Sequence, residues 1–276
     1  MATADQLSSS ARTNLREGLA GSGPFHKSCI FLHHPDPPSK YPRKVSSDLL
    51  RSLTLRAVLH KGLVNFCWRS DDDFVVGDTG ISESYPATIF LGGEHVNSER
   101  RVFHVPNVSH NNLDVVDSIL SLRDGEETQG TKEYQAPVEE QHIYVCTHGA
   151  RDCRCGDTGG AVVEALRQEL ASRRAKARSS TSNSNSPSIW DRIRIGEVAH
   201  VGGHKYAANV LLYPGGEWLG KITPSDVPAL LDLVGSEGQE EAETHYPFVL
   251  SHSRGRMGVE NDVHRQLLEH LSQSQY

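Results

Sequence analysis

The chain has 276 residues, 23% of them charged and 37% hydrophobic, and 35 acidic against 28 basic side chains give a formal net charge of -7. That balance excludes a general nucleic-acid binder, which needs a basic surface, and the lack of any long apolar run excludes a membrane-spanning helix. Five Cys cannot all pair within one chain, and no apolar signal-peptide core stands near the N-terminus. The chain therefore reads as one working in a reducing compartment, where Cys serve as ligands or redox groups more often than as staples.

Residues 1–27 are rich in Ser, Ala, Gly and Arg and are expected to be disordered. Arg12 and Arg16 among several Ser resemble a weak mitochondrial transit peptide, which Asp5 and Glu17 spoil. Residues 28–124 read as an α/β domain. Ser28 to Leu32 is a buried strand, and the Pro-rich stretch from His33 to Lys44 is a loop. Ser46 or Ser47 caps a helix to about His60 with a broad apolar face from Leu49, Leu50, Leu53, Leu55, Val58 and Leu59. Strands follow at Leu63 to Trp68, Ala87 to Leu91 and Arg101 to Val105, with a turn at Gly92-Gly93-Glu94-His95, then a helix from Asn112 or Asp114 to about Leu122. The acidic, polar stretch 125–140 reads as a linker.

The second domain, 141–235, opens with a strand from His142 to Cys146 and a loop from Thr147 to Gly156. A helix from Thr158 to about Lys176 places Val162, Val163, Leu166 and Leu170 on one face and basic residues at its C-terminal end, where the macrodipole favours cations. Residues 177–188 are a Ser- and Asn-rich insert, expected to be disordered. A strand from Ile193 to Ala199 and a loop at His200 to Lys205 precede a hairpin around Pro214-Gly215-Gly216. Thr223 then caps a helix from Pro224 to about Val234. Strand, helix, strand, hairpin, helix is the skeleton of a thioredoxin-like domain. Residues 245–276 form a tail with a turn at Arg254 to Gly258 and a final helix near Asn261 to Leu271.

Three Cys lie close together, Cys146, Cys153 and Cys155, and 44 residues separate Cys155 from His200-Val201-Gly202-Gly203-His204. In the thioredoxin-like skeleton, the loop after the first strand and the loop before the hairpin lie at the same end of the sheet, so these residues converge. Thiolate and imidazole suit a soft or borderline metal centre. Glycines beside the ligands let the backbone approach such a centre closely. Cys29 and Cys67 fall in predicted strands and read as core residues. His148 and Lys205 are near the site without an assigned role. Arg151 and Arg154 flank Cys153 and favour its thiolate.

The spacing C-x8-C at Cys146 and Cys155, followed by H-x-G-G-H at His200 to His204, resembles the sucrase/ferredoxin-like family of the fungal actin-patches-distal and altered-inheritance-of-mitochondria type. His148, Arg151-Asp152, Gly156 and Ala208-Asn209-Val210 agree with it, best over about Gln141 to Leu233. Asn209 to Asp226 is also similar to thioredoxin-like [2Fe-2S] ferredoxins, which carry C-x3-C where this chain has H-x3-H. The resemblance implies an α/β fold with a C-terminal thioredoxin-like ferredoxin domain, and a [2Fe-2S] cluster held by Cys146, Cys155, His200 and His204. Two ferric ions, two sulfides and two thiolates are neutral together, so such a centre accepts an electron more readily than an all-thiolate one. Its potential is expected in the roughly -150 to +300 mV span of His-ligated centres or somewhat below. Reduction is expected to couple to protonation of His200 or His204, lowering the potential about 59 mV per pH unit.

The leading reading is an electron-transfer or redox-sensing protein with a redox partner protein, mitochondrial by resemblance, with the cytoplasm as the alternative. A structural zinc protein using the same four residues is the second reading. A cluster-free thiol oxidoreductase using Cys153 and Cys155 is the third. Cys153 itself, outside the family's C-x8-C, reads as a spare or inert thiol.

Overall fold

The computed structural model describes residues 3–71, 83–92, 100–123, 125–126, 128–180, 187–236 and 245–273. The Gly93-Glu94-His95 part of the expected turn and residues 181–186 of the expected insert lie outside them. Among the described residues, ten strands form one sheet.

The first half contains β1 (Ser28–His33), α2 (Asp48–Leu59), β2 (Gly62–Trp68), β3 (Ser84–Leu91), β4 (Arg101–Ser109) and α3 (Leu113–Leu120). The second contains β6 (Gln141–Cys146), α5 (Gly160–Ser180), β7 (Ile193–Val198), β8 (Val210–Tyr213), β9 (Glu217–Leu219) and α6 (Val227–Gly235). In the second half the strands lie in the order β9-β8-β6-β7, with β6 parallel to β7 and β8 antiparallel to both its neighbours. This is the thioredoxin-like arrangement expected. The first half repeats it, in the order β2-β1-β3-β4, again with one parallel pair and two antiparallel ones. The two units join edge to edge, where Cys67 and Trp68 of β2 pair antiparallel with Val198 and Glu197 of β7.

Side chains alternate across each strand, and that alternation sorts the core. Ile30 and Leu32 of β1 pack under Leu49, Leu53 and Ala57 of α2 and Val116 and Ile119 of α3. Ile143 and Val145 of β6 pack under Val162, Leu166, Leu230 and Leu231. The opposite faces, bare of these helices, meet each other: Phe31 stacks on Tyr144 at 4.2 Å, and Phe90 on Tyr213 at 4.5 Å between ring centroids. Phe90 on β3 and Tyr213 on β8 are five strand spacings apart, roughly 24 Å across a flat sheet. Their stacking requires the sheet to fold back at the β2–β7 joint, bringing the two units face to face with these helices outside.

Local signals explain most boundaries. Ser47 accepts a hydrogen bond from the Leu50 N–H at 2.9 Å and caps α2. Thr223 and Asp226 form a capping box before α6. The broad apolar face expected for α2 is only half used: Leu55, Val58 and Leu59 are exposed, because the sheet lies under the opposite side of the helix.

Several stretches depart from expectation. Residues Ala4–Glu17 form a helix, α1, instead of a disordered terminus. Thr3 and Gln6 cap it reciprocally, Ala11 packs with Ala20 and Leu268, and Asn14 donates to the Leu250 and Ser253 carbonyls at 2.7 Å. Its partners lie some 240 residues away, so composition alone did not reveal them. The stretch read as a linker carries α4 (Gln129–Lys132) and β5 (Gln135–Ala136), which pairs with β4. α5 runs on to Ser180, so the first residues of the expected insert are helical. The tail holds α7 (Tyr246–His252), β10 (Ser253–Arg256) and α8 (Asn261–Gln273), and β10 extends the sheet beyond β9. No helix among the described residues is long and apolar enough to cross a membrane.

Candidate metal centre

Cys146 ends β6, opposite Val198 on β7, and its N–H donates to the Asn209 carbonyl at 3.0 Å. The chain then turns through Thr147–Asp152 and re-enters helix at Cys153. Residues Cys155–Gly159 form a π-helical turn ahead of α5, an irregularity common at functional sites. Gly159 lets this turn press on the strand end, since a Cβ there would overlap the Cys146 carbonyl. Asp152 fixes the turn: its carboxylate accepts from the Arg154 N–H at 3.1 Å and from the guanidinium twice at 2.9 Å. Arg154 holds the Asp152 carboxyl down to about 2.

The ligating atoms of Cys146, Cys155 and His200 lie within 4.8 Å of one another. The Cys155 Sγ is 3.6 Å from His200 Nδ1. Both thiols are buried, whereas His200 is partly exposed. Hydrogen bonding from the Cys155 thiol, opposed by burial and helped by His200 and the Val201 N–H, holds Cys146 well below the usual thiol range. The same shared hydrogen bond, with burial, pushes Cys155 up. Proximal thiols that titrate apart in this way favour one thiolate in a dry site, the form a metal binds.

His204 is placed differently. Its side chain is 47% exposed, with Nδ1 3.6 Å from an Asp152 carboxylate oxygen. Its ring centroid is 5.7 Å from that of His200. It thus stands beside the three-residue group and faces Asp152. Cys153 is exposed while Cys155 is buried. Residues two apart on a helical turn project roughly 200° apart, so the C-x-C pairing considered from sequence has no support in the geometry, and the adjacent thiol pair is Cys146 with Cys155. Cys29 and Cys67 are buried in the core, where burial pushes the Cys29 thiol up to about 12.

Surrounding residues hold the group in place. His148 Nε2 donates to the Pro42 carbonyl at 3.0 Å, and its Nδ1 accepts from the His200 N–H at 3.4 Å. The Pro-rich loop of the first unit is thereby tied to the His200 backbone. Thr147 donates to Glu197 at 2.8 Å, which also pairs with Arg167 at 2.9 Å. Sequence reasoning missed Arg254, 1% exposed, which donates to the Asn209 side chain at 2.6 Å behind Cys146. Nothing in the spacing of the tail marked it, because its partners are remote in sequence. Asn209 was visible only through the flanking Ala208-Asn209-Val210 match and the similarity over Asn209 to Asp226.

The donor chemistry fits a centre of mixed thiolate and imidazole ligation. Two buried thiols and one imidazole converge, and His204 is the neighbouring residue available for a fourth position. A family model described as sucrase/ferredoxin-like matches residues 27–246. Among curated proteins, altered inheritance of mitochondria protein 32 of Meyerozyma guilliermondii is 31% identical over 121 residues, which is 41% of this chain and 38% of that protein. Actin patches distal protein 1 of Saccharomyces cerevisiae is 33% identical over 98 residues, 34% of this chain and 29% of that protein. The chain thus matches well under half the length of these relatives. A solved structure of a thioredoxin-like [2Fe-2S] ferredoxin from Aquifex aeolicus aligns with 34% of this chain and 78% of its own, at 16% identity and a TM-score of 0.26.

Proposed function

The chain belongs to the sucrase/ferredoxin-like family, and from that premise we propose that it binds a [2Fe-2S] cluster through Cys146, Cys155, His200 and His204 and serves electron transfer or redox sensing. The observation that carries the reading is the convergence of two buried thiols and His200 within 4.8 Å at one end of the sheet. The cluster, when bound, supplies a one-electron acceptor and donor. Cys146 and Cys155 contribute negative charge in a dry setting, and the hydrogen bonds on Cys146 favour its thiolate. His148 orients the His200 backbone from behind. His204 is the exposed imidazole, with its Nδ1 3.6 Å from the Asp152 carboxylate. An exposed ligand edge also gives a redox partner protein a place to approach. The name of the Meyerozyma relative supports a mitochondrial setting.

The 3.6 Å separation of Cys155 and His200 favours a second reading, a single zinc ion on the same residues, since donors this close also suit one tetrahedral ion. Anaerobic purification, a visible spectrum and counts of iron, sulfide and zinc separate the two. Brown protein with about two iron and two sulfide per chain supports the cluster. Colourless protein with one zinc supports the second reading, and metal-free protein overturns both.

A further inference from the structure

We propose that Arg254 is a positioning residue for the metal centre, a fixed positive charge behind Cys146 that favours its reduced state. The inference rests on the cluster reading above. Arg254 lies on β10, in the tail, and reaches back under the His200–His204 loop. Its guanidinium is buried, with Nη1 donating to Asn209 Oδ1 at 2.6 Å, Nη2 to the Ser22 carbonyl at 2.9 Å and Nε to the Ser22 hydroxyl at 3.1 Å. The Tyr206 ring covers it at 5.2 Å. Every acceptor it reaches among the described residues is neutral. A buried guanidinium without an anion is costly, so a fold that keeps one has a negative group for it to face.

The geometry identifies that group. Gly203, at φ +65°, lies against the guanidinium, and a Cβ there would overlap it. Asn209 ties the charge to both sides of the site: its Nδ2 donates to the Gly203 carbonyl at 3.2 Å and its own carbonyl accepts from the Cys146 N–H at 3.0 Å. Burial depresses the arginine, while Tyr206 and then Cys146 and Cys155 act to keep it charged. The geometry points to the ligated centre as that group, since the guanidinium lies against the Gly203 turn and is joined through Asn209 to the Cys146 end of β6. On reduction one electron enters from the redox partner, no covalent bond forms or breaks, and the net charge of the ligated centre falls by one. A fixed cation held in a medium of low dielectric stabilises that added charge. Arg254 also props the glycine turn from which His200 and His204 project.

The test uses the full chain, loaded anaerobically with iron and sulfide: wild type, Arg254→Lys, Arg254→Met and Asn209→Asp. Iron and sulfide are counted, thermal unfolding is recorded, and the midpoint potential is read by optical titration with dithionite. Arg254→Met is expected to lower the reduced-to-oxidised ratio at a fixed potential about tenfold, a midpoint shift of about 59 mV for one electron. Arg254→Lys keeps the charge and is expected to stay within threefold of wild type. Asn209→Asp places a carboxylate on the guanidinium with Arg254 still in place, and is expected to shift the midpoint in the same direction as Arg254→Met. If Arg254→Met does not fold, Asn209→Asp and Arg254→Lys decide the matter. Loaded variants whose midpoints all match wild type overturn the proposal and leave the cluster reading standing. A wild-type chain that takes up no iron and sulfide overturns the cluster reading, and this inference with it.

Discussion

Cys146 and Cys155 differ from the other three thiols by what holds them. One ends a strand, the other opens a helix, and Gly159 lets the two backbones close to contact. Cys153, two residues before Cys155, points to solvent. Cys153→Ala is therefore expected to keep a full complement of metal with an unchanged spectrum. His204→Cys replaces a neutral donor with a thiolate. It is expected to retain the cluster and lower its potential toward the roughly -400 mV of all-thiolate ferredoxins. Loss of metal on Cys153→Ala, or an unmoved potential in a loaded His204→Cys, contradicts the assignment. The C-x8-C and H-x3-H spacings made the convergence of Cys146, Cys155 and His200 legible from sequence. The outward turn of His204 toward Asp152 was not legible, because it depends on a carboxylate fixed by Arg154 within a loop that has no periodicity.

At the scale of elements, the helices with hydrophobic periodicity over the sheet were readable and those held by remote contacts were not. α5 and α6 carry their apolar stripes in plain view, and α6 its capping box. α1 does not, since it is polar over most of its length and is held by α7 and α8 at the other end of the chain. Two buried histidines fasten this corner. His264 accepts from the Gly21 N–H at 3.3 Å and lies 3.0 Å from the Ser253 hydroxyl; His26 donates to the Pro24 carbonyl at 2.9 Å and pairs with the Tyr213 hydroxyl at 3.1 Å. Burial lowers both from 6.5 to about 4. The unfolded chain therefore binds protons below pH 6.5 that the folded chain refuses until near pH 4, so stability is full above that window and falls through it. Each group contributes on the order of 3 kcal/mol when the full difference is expressed. Thermal unfolding followed from pH 7.5 to 4.5 is expected to show this loss, and His264→Gln to make the decline shallower. A melting temperature that holds steady or rises on acidification contradicts it.

The whole molecule is two topologically equivalent units folded face to face, and only one of them carries the thiol and imidazole group among the described residues. Sequence patterning read the thioredoxin-like order of the second unit correctly. It could not read the repeat of that order in the first, nor the fold at the β2–β7 joint, because alternating strands leave open which second surface their other face meets. Phe31 on Tyr144 and Phe90 on Tyr213 are the contacts that decide it. The first unit then serves the site from behind, through the Pro42 carbonyl on His148. What distinguishes the proposed centre from an all-thiolate ferredoxin or a zinc site is imidazole on a paramagnetic cluster. Pulsed electron paramagnetic resonance of the reduced, anaerobically loaded chain, grown with nitrogen-labelled histidine, reads this directly. The account predicts a reduced-cluster signal coupled to two histidine nitrogens, one of them lost in His204→Cys. A chain that gives no such signal on reduction, or a signal with no histidine coupling, contradicts it.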